Sequence, residues 1–95
     1  MAKVSIKFLS EFKNVVGMEC VEVNVNEEST VEDLLKHLCD QFKEPLCSLI
    51  FESKASIKRN IVIFINGKNI ATLDGLKTKL RDEDQIILST PVAGG

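Results

Sequence analysis

The sequence predicts an α+β fold, a mixed sheet with one main helix packed on one face. Three observations predict it. Apolar and polar residues alternate in two short runs between residues 3 and 26, the signature of half-buried strands. The period then switches to that of a single amphipathic helix. Strand-length apolar runs resume after it, and the last of them leads into the C-terminal segment Thr90-Pro91-Val92-Ala93-Gly94-Gly95.

Each element follows from its residues. Over residues 3–9, Val4, Ile6 and Phe8 face one way and Lys3, Ser5 and Lys7 the other. Residues 10–18 contain Asn14 and Gly17 and read as a turn region. Over 20–26, Val21, Val23 and Val25 alternate with Glu22, Asn24 and Asn26, so the two strands form an antiparallel hairpin. Val31, Leu34, Leu35, Leu38 and Phe42 then make one helical stripe. Ser29 with Glu32, or Thr30 with Asp33, supplies its cap, and Pro45 limits its far end. Glu32 and Lys36 are spaced to pair on the solvent side. Leu46, Leu49 and Ile50 continue as a short helical turn, and residues 53–60 read as a basic loop. Ile61-Val62-Ile63-Phe64-Ile65 is too short for a helix and reads as a strand buried on both faces. Asn66-Gly67 is a tight-turn signal, with residues 68–71 as a short returning strand. Leu73, Leu76 and Leu80 plug into the core, residues 82–84 turn, and Gln85 to Ser89 form the last strand. If the first and last strands pair, they run parallel and the last strand is central. This is the β-grasp, or ubiquitin-like, arrangement. Residues 1–89 are the domain, and residues 90–95 a flexible Gly-Gly tail.

Composition narrows the function. A net charge of −2 does not favour a nucleic-acid partner, and Trp and Tyr, the usual base-stacking platforms, are absent. No apolar run approaches the length of a membrane span, and the first residues alternate instead of forming a signal core. A cytoplasmic protein is expected, with no nucleic-acid or membrane partner. Cys20, Cys39 and Cys47 are odd in number and lack a C-x-x-C pair, which argues against a disulfide framework or a zinc site. They read as small apolar residues. His37, the single histidine, lies off the helical stripe and two residues from Cys39, on a different face, so a Cys-His nucleophile is not expected. Gly17, Gly67 and Gly75 are isolated and make no phosphate-cradling loop. The stretch from Glu19 to Asp33 contains Glu27, Glu28 and Glu32 and no Lys or Arg. It reads as a solvated acidic face, with docking of a basic partner as the sharper alternative. Lys77, Lys79 and Arg81 form a small basic cluster.

The distinctive chemical group that remains is the carboxylate of Gly95. Gly94 and Gly95 carry no Cβ, and Pro91 has no N–H to continue a sheet ladder. The six residues 90–95, extended, reach roughly 20 Å. A carboxylate is a poor electrophile until activated, commonly as an adenylate, so a partner enzyme must supply ATP chemistry. The chain alone is expected to be non-catalytic and to bind no cofactor or metal.

Ile63-Phe64-Ile65-Asn66-Gly67-Lys68, Leu76 to Leu80, Arg81-Asp82-Glu83-Asp84-Gln85-Ile86 and Pro91-Val92-Ala93-Gly94-Gly95 carry a resemblance. With the opening strand and the helix begun at Ser29-Thr30-Val31, the chain resembles the MoaD/ThiS family of ubiquitin-like sulfur carriers, including the small subunit of molybdopterin synthase. It is also similar to the small archaeal modifier proteins. The resemblance implies that Gly95 is adenylated by an enzyme like those that activate ubiquitin, using ATP and Mg. Gly95 then becomes a thiocarboxylate that donates sulfur in molybdenum cofactor synthesis. It implies that Pro91, Val92, Ala93 and Gly94 dock and thread into the large subunit of a molybdopterin synthase. The alternative it implies is conjugation of Gly95 to lysines of target proteins. A further alternative is a non-catalytic β-grasp interaction module whose ending is incidental.

Overall fold

The computed structural model describes residues 1–53, 56–58 and 60–90. Five strands form one sheet: β1 (Ala2–Phe8), β2 (Cys20–Val25), β3 (Val62–Ile65), β4 (Lys68–Asn69) and β5 (Gln85–Ser89), in the order β2-β1-β5-β3-β4. β1 pairs with β2 antiparallel and with β5 parallel; β3 pairs antiparallel with both β5 and β4. The last strand is therefore central, with Ile6, Ile86 and Ile65 in one row and Phe8, Leu88 and Ile63 in the next. Those six side chains are buried, as are Val4, Val23 and Val25. The main helix, α2 (Val31–Phe42), contributes the buried residues Val31, Leu34, Leu35 and Leu38 to the same core. The architecture is the β-grasp expected from the sequence.

Of the two available caps, α2 uses Thr30 and Asp33. The Thr30 hydroxyl accepts the Asp33 N–H at 3.3 Å, and the Asp33 carboxylate accepts the Thr30 N–H at 3.0 Å. Residues 66 and 67 both have positive φ (50° and 86°), as the turn joining β3 and β4 requires of Asn-Gly.

Several local expectations are corrected. Residues 10–18 are not a turn alone but contain α1 (Glu11–Val16), which ends at Gly17 in the left-handed conformation. Phe12, Val15 and Val16 have helical spacing, and Phe12 is wholly buried. β3 is not buried on both faces: Ile63 and Ile65 are buried, whereas Val62 and Phe64 are only half-buried. A sheet covered by helices on one side leaves alternate residues of even a continuous apolar run on the other face. Leu80 enters the core, but Leu73 is exposed, because it follows a single helical turn at residues 70–72 on the surface. Glu32 reaches Lys77 at 3.8 Å, not Lys36.

Cys39 and Cys47 are joined as a disulfide, against the expectation of unpaired cysteines. The polypeptide folds back between α2 and α3 (Leu46–Ile50), which brings the two Cα atoms to 4.8 Å. Sequence spacing within a regular helix does not reveal a pair formed across such a corner. Cys20 is free and exposed.

Candidate functional site

The site expected from the sequence is the tail, and Pro91, Val92, Ala93, Gly94 and Gly95 lie outside the described residues. What the structure does describe is the device that holds its root. β5 is bracketed by neighbours along its whole length and anchored at both ends.

The upstream anchor is a polar node around Asp84, the buried charged residue of the described core. Its carboxylate accepts the Arg81 N–H at 2.8 Å and an Asn66 side-chain N–H at 2.9 Å. The Asn66 side-chain oxygen in turn accepts the Gln85 N–H at 2.9 Å, and the Asn66 N–H donates to the Gln85 carbonyl at 2.8 Å. The Ser5 N–H donates to the Asp84 carbonyl at 3.0 Å. One turn (82–84), one hairpin (66–67) and the middle of β1 are thus tied to the first residue of β5. Next to this node, the Lys3 N–H donates to the Asp82 carboxylate at 2.8 Å and the Glu83 N–H to the Lys3 carbonyl at 2.8 Å. Residues 82–84 were legible as a turn and Asn66 as a hairpin residue. Their meeting joins positions far apart in sequence, and no local signal marks it.

The downstream anchor lies where β5 hands over to the tail. The Leu9 N–H donates to the Leu88 carbonyl at 2.9 Å, and the Ser10 and Ser89 hydroxyls lie 3.2 Å apart. The Ser89 hydroxyl also donates to the Thr90 carbonyl at 3.1 Å. α1 packs against β5 at this end, so the helix missing from the sequence-based picture supports the tail's root. On the outer sheet face, register sets half-buried Ile87 between Lys7 and Phe64, and Ser89 beside Val62.

The acidic stretch and the basic cluster meet each other. Segment 78–80 runs beside residues 29–31, with the Val31 N–H on the Thr78 carbonyl and the Leu80 N–H on the Ser29 carbonyl. Lys79 pairs with Glu28 at 2.7 Å and Lys77 with Glu32 at 3.8 Å. The Lys79 ammonium holds the Glu28 carboxyl below its ordinary range, first through a hydrogen bond and then through charge. Lys13 does the same for Glu19 at 3.0 Å. These are surface pairs, exposed except for half-buried Glu32, and of small energetic weight. They neutralise much of the surface that a basic partner would have read. Among the described residues, no group of three or more His, Cys, Asp or Glu side chains is placed to hold a metal ion, and no helix is long and apolar enough to cross a membrane.

This geometry has known counterparts. The family model described as the ThiS family matches residues 6–95. The chain belongs to the ThiS family. Within reach of this ThiS-family chain is small archaeal modifier protein 3 of Haloferax volcanii, 30% identical over 93 residues, covering 98% of this chain and 99% of the relative. A candidate sulfur carrier protein of Archaeoglobus fulgidus is 32% identical over 69 residues, covering 73% of this chain and 77% of the relative. Among solved structures, small archaeal modifier protein 1 of Methanosarcina acetivorans matches with a TM-score of 0.85 and 34% identity, covering 100% of this chain and 98% of that one. The ThiS-family chain is thus similar over essentially its full length to small archaeal modifier proteins and over 73% of it to a candidate sulfur carrier.

Proposed function

We propose that this chain is a ubiquitin-like protein modifier, joined through Gly95 to lysines of target proteins. The observation that carries the reading is the likeness to small archaeal modifier protein 3, which spans nearly the whole of both chains. A central, doubly anchored β5 suits it, since the tail's root must stay firm while a partner handles the end. An adenylating enzyme supplies ATP and Mg. The Gly95 carboxylate attacks the α-phosphorus of ATP, pyrophosphate leaves, and an acyl-adenylate forms. A lysine amine then attacks that carbonyl, AMP leaves, and an isopeptide bond results. Pro91, Val92, Ala93 and Gly94 are the stretch that the partner grips, with Gly94 slim enough for a narrow channel.

The sulfur-carrier reading shares every step up to the adenylate. The likeness to the Archaeoglobus fulgidus protein favours it. There a sulfur nucleophile displaces AMP and leaves a thiocarboxylate at Gly95. Delivery to a pterin in the large subunit of a molybdopterin synthase, the reading put first on sequence resemblance, rests on that resemblance alone.

The tail supplies its own assay. No Lys or Arg follows Arg81, so trypsin releases Asp82–Gly95 as one piece. A conjugated lysine in a tryptic digest of cells expressing the protein carries that piece as a branch. Finding such branches, and losing them when Gly95 is deleted, supports the modifier. Their absence from well-expressing cells, with an oxygen-to-sulfur mass change on the intact chain, decides for the carrier. Full biological activity without Gly95 would leave only the interaction module.

A further inference from the structure

Two of the three cysteines have no part in the tail chemistry. Cys39 lies in the last turn of α2 and Cys47 in the first turn of α3, and their disulfide bridges the corner between them. Both residues are half-buried, and both line an open cleft of about 560 Å³ with Lys36, Asp40, Phe51 and Glu52. Exchange of a disulfide depends on access for an attacking thiolate, and this cleft gives that access. The Cys47 sulfur also lies 3.3 Å from the Cys39 carbonyl oxygen, which can accept its S–H once the bond is reduced. The dithiol form therefore has a partner ready.

The corner sits behind the tail-bearing end of the sheet. Leu46 and Ile50 of α3 are buried in the core, α3 packs on α1, and α1 packs on β5. Phe42, which closes α2, meets Phe8 edge-on with ring centres 6.2 Å apart, and Phe8 lies opposite Leu88 in the register. In a reducing compartment, which the sequence leads one to expect, disulfides are usually transient or redox-sensing and seldom structural.

We propose that Cys39 and Cys47 form a reversible thiol–disulfide exchange site, reduced by a protein dithiol, that latches α2 to α3 behind the tail's root. A thiolate of the reductant attacks one sulfur of the pair and the other leaves as a thiolate. The reductant's second thiol then attacks the mixed disulfide. Two electrons and two protons pass to the pair, and the reductant departs as its own disulfide. Among the described residues of the cleft, Asp40, Glu44 and Glu52 outnumber Lys36, so a reductant with a basic rim is favoured over an anionic monothiol. The inference is independent of whether Gly95 meets an amine or a sulfur.

The test uses the full chain. It is equilibrated with oxidised glutathione, then with dithiothreitol, reduced glutathione or a C-x-x-C protein dithiol, and free thiols are counted by alkylation and intact mass. After oxidation only Cys20 is expected to be modified, by one alkyl group or one glutathione adduct on intact mass; three alkyl groups are expected after reduction, with return to the first state on re-oxidation. The dithiols should act faster than glutathione. Amide exchange in Cys47–Phe51 should quicken roughly ten- to a hundredfold on reduction while β1 stays protected. Three alkyl groups after oxidation, resistance to dithiols until the chain unfolds, or equal exchange in both states would overturn the proposal. The double variant C39S/C47S should behave as the reduced chain and ignore redox buffer; if it fails to fold, the thiol titration of the natural chain still decides.

Discussion

Asp84→Ala tests whether the node at the start of β5 holds the fold together. The side chain accepts two hydrogen bonds, at 2.8 Å from Arg81 and 2.9 Å from Asn66. Bonds to a carboxylate are each worth about 1.5–3 kcal/mol. Both donors lie in part-buried surroundings, so water recovers some of that, and a loss of about 3 kcal/mol is expected. For a domain of this size, each kcal/mol moves the melting temperature by roughly 4–8 °C, which gives a fall of about 12–24 °C. The assay is thermal unfolding followed by far-UV circular dichroism. Asp84→Asn keeps one acceptor and loses the other, so roughly half the fall is expected. Asn66→Ala combined with Asp84→Ala should cost less than the two separately, by at least about 0.5 kcal/mol, because the residues share a bond. A fall of less than about 4 °C for Asp84→Ala, or strict additivity in the double variant, would refute the node. Below its melting temperature, the Asp84→Ala chain should still be activated at Gly95, since the node lies at the opposite end of β5 from the tail.

Other substitutions probe other links. The Asp33 carboxyl is held below its ordinary value near 3.8, first by the Thr30 backbone N–H, with burial opposing. A lowered folded pKa gives stability that is present above the unfolded value and lost as pH falls through the folded one. The melting temperature should therefore drop as pH falls below about 4, and Asp33→Ala should shrink that drop; Thr30→Ala should cost about 1 kcal/mol at neutral pH in denaturant titration. Phe12→Ala removes a wholly buried ring from α1 and should cost about 3–5 kcal/mol, a value a surface turn would never give. Gly67→Ala meets no atom within 4 Å, so only its φ of 86° opposes it, and about 1 kcal/mol is expected from urea unfolding.

What was legible in the sequence was whatever repeats with a period. The alternation at Val4, Ile6 and Phe8, and the stripe from Val31 to Phe42, each place several side chains on one face. The β-grasp follows, down to the parallel β1–β5 pair. Single decisions were harder. Phe12, Val15 and Val16 span barely one helical turn, and Asn14 and Gly17 hid it. The continuous run before Asn66 says that the residues are apolar, not which neighbours cover them. Asp84 looked like one more turn acid because only the Arg81 N–H, three residues away, is a local partner, and Asn66 reaches it only through folding. The Cys39–Cys47 pair was hidden likewise behind the α2–α3 corner.

Both proposed chemistries ask the same thing of the domain, a well-held last strand. A parallel β1–β5 pair at the centre means that the last strand is held by two ladders, one from β1 and one from β3. Near the front of α2, Glu28 and Glu32 pair with Lys79 and Lys77. On the proposed reading, the domain's contribution ends once Gly95 is presented. The step that separates a modifier from a carrier is the attack on the adenylate, and its nucleophile, a lysine amine or a sulfur, comes from elsewhere. No residue of this chain need differ between the two outcomes. Substitutions within residues 1–89 that preserve folding should thus change both activities together. A variant that lost conjugation while keeping thiocarboxylate formation would show instead that the domain chooses its own nucleophile, and the place to look would be the outer face around Ile87 and Phe64.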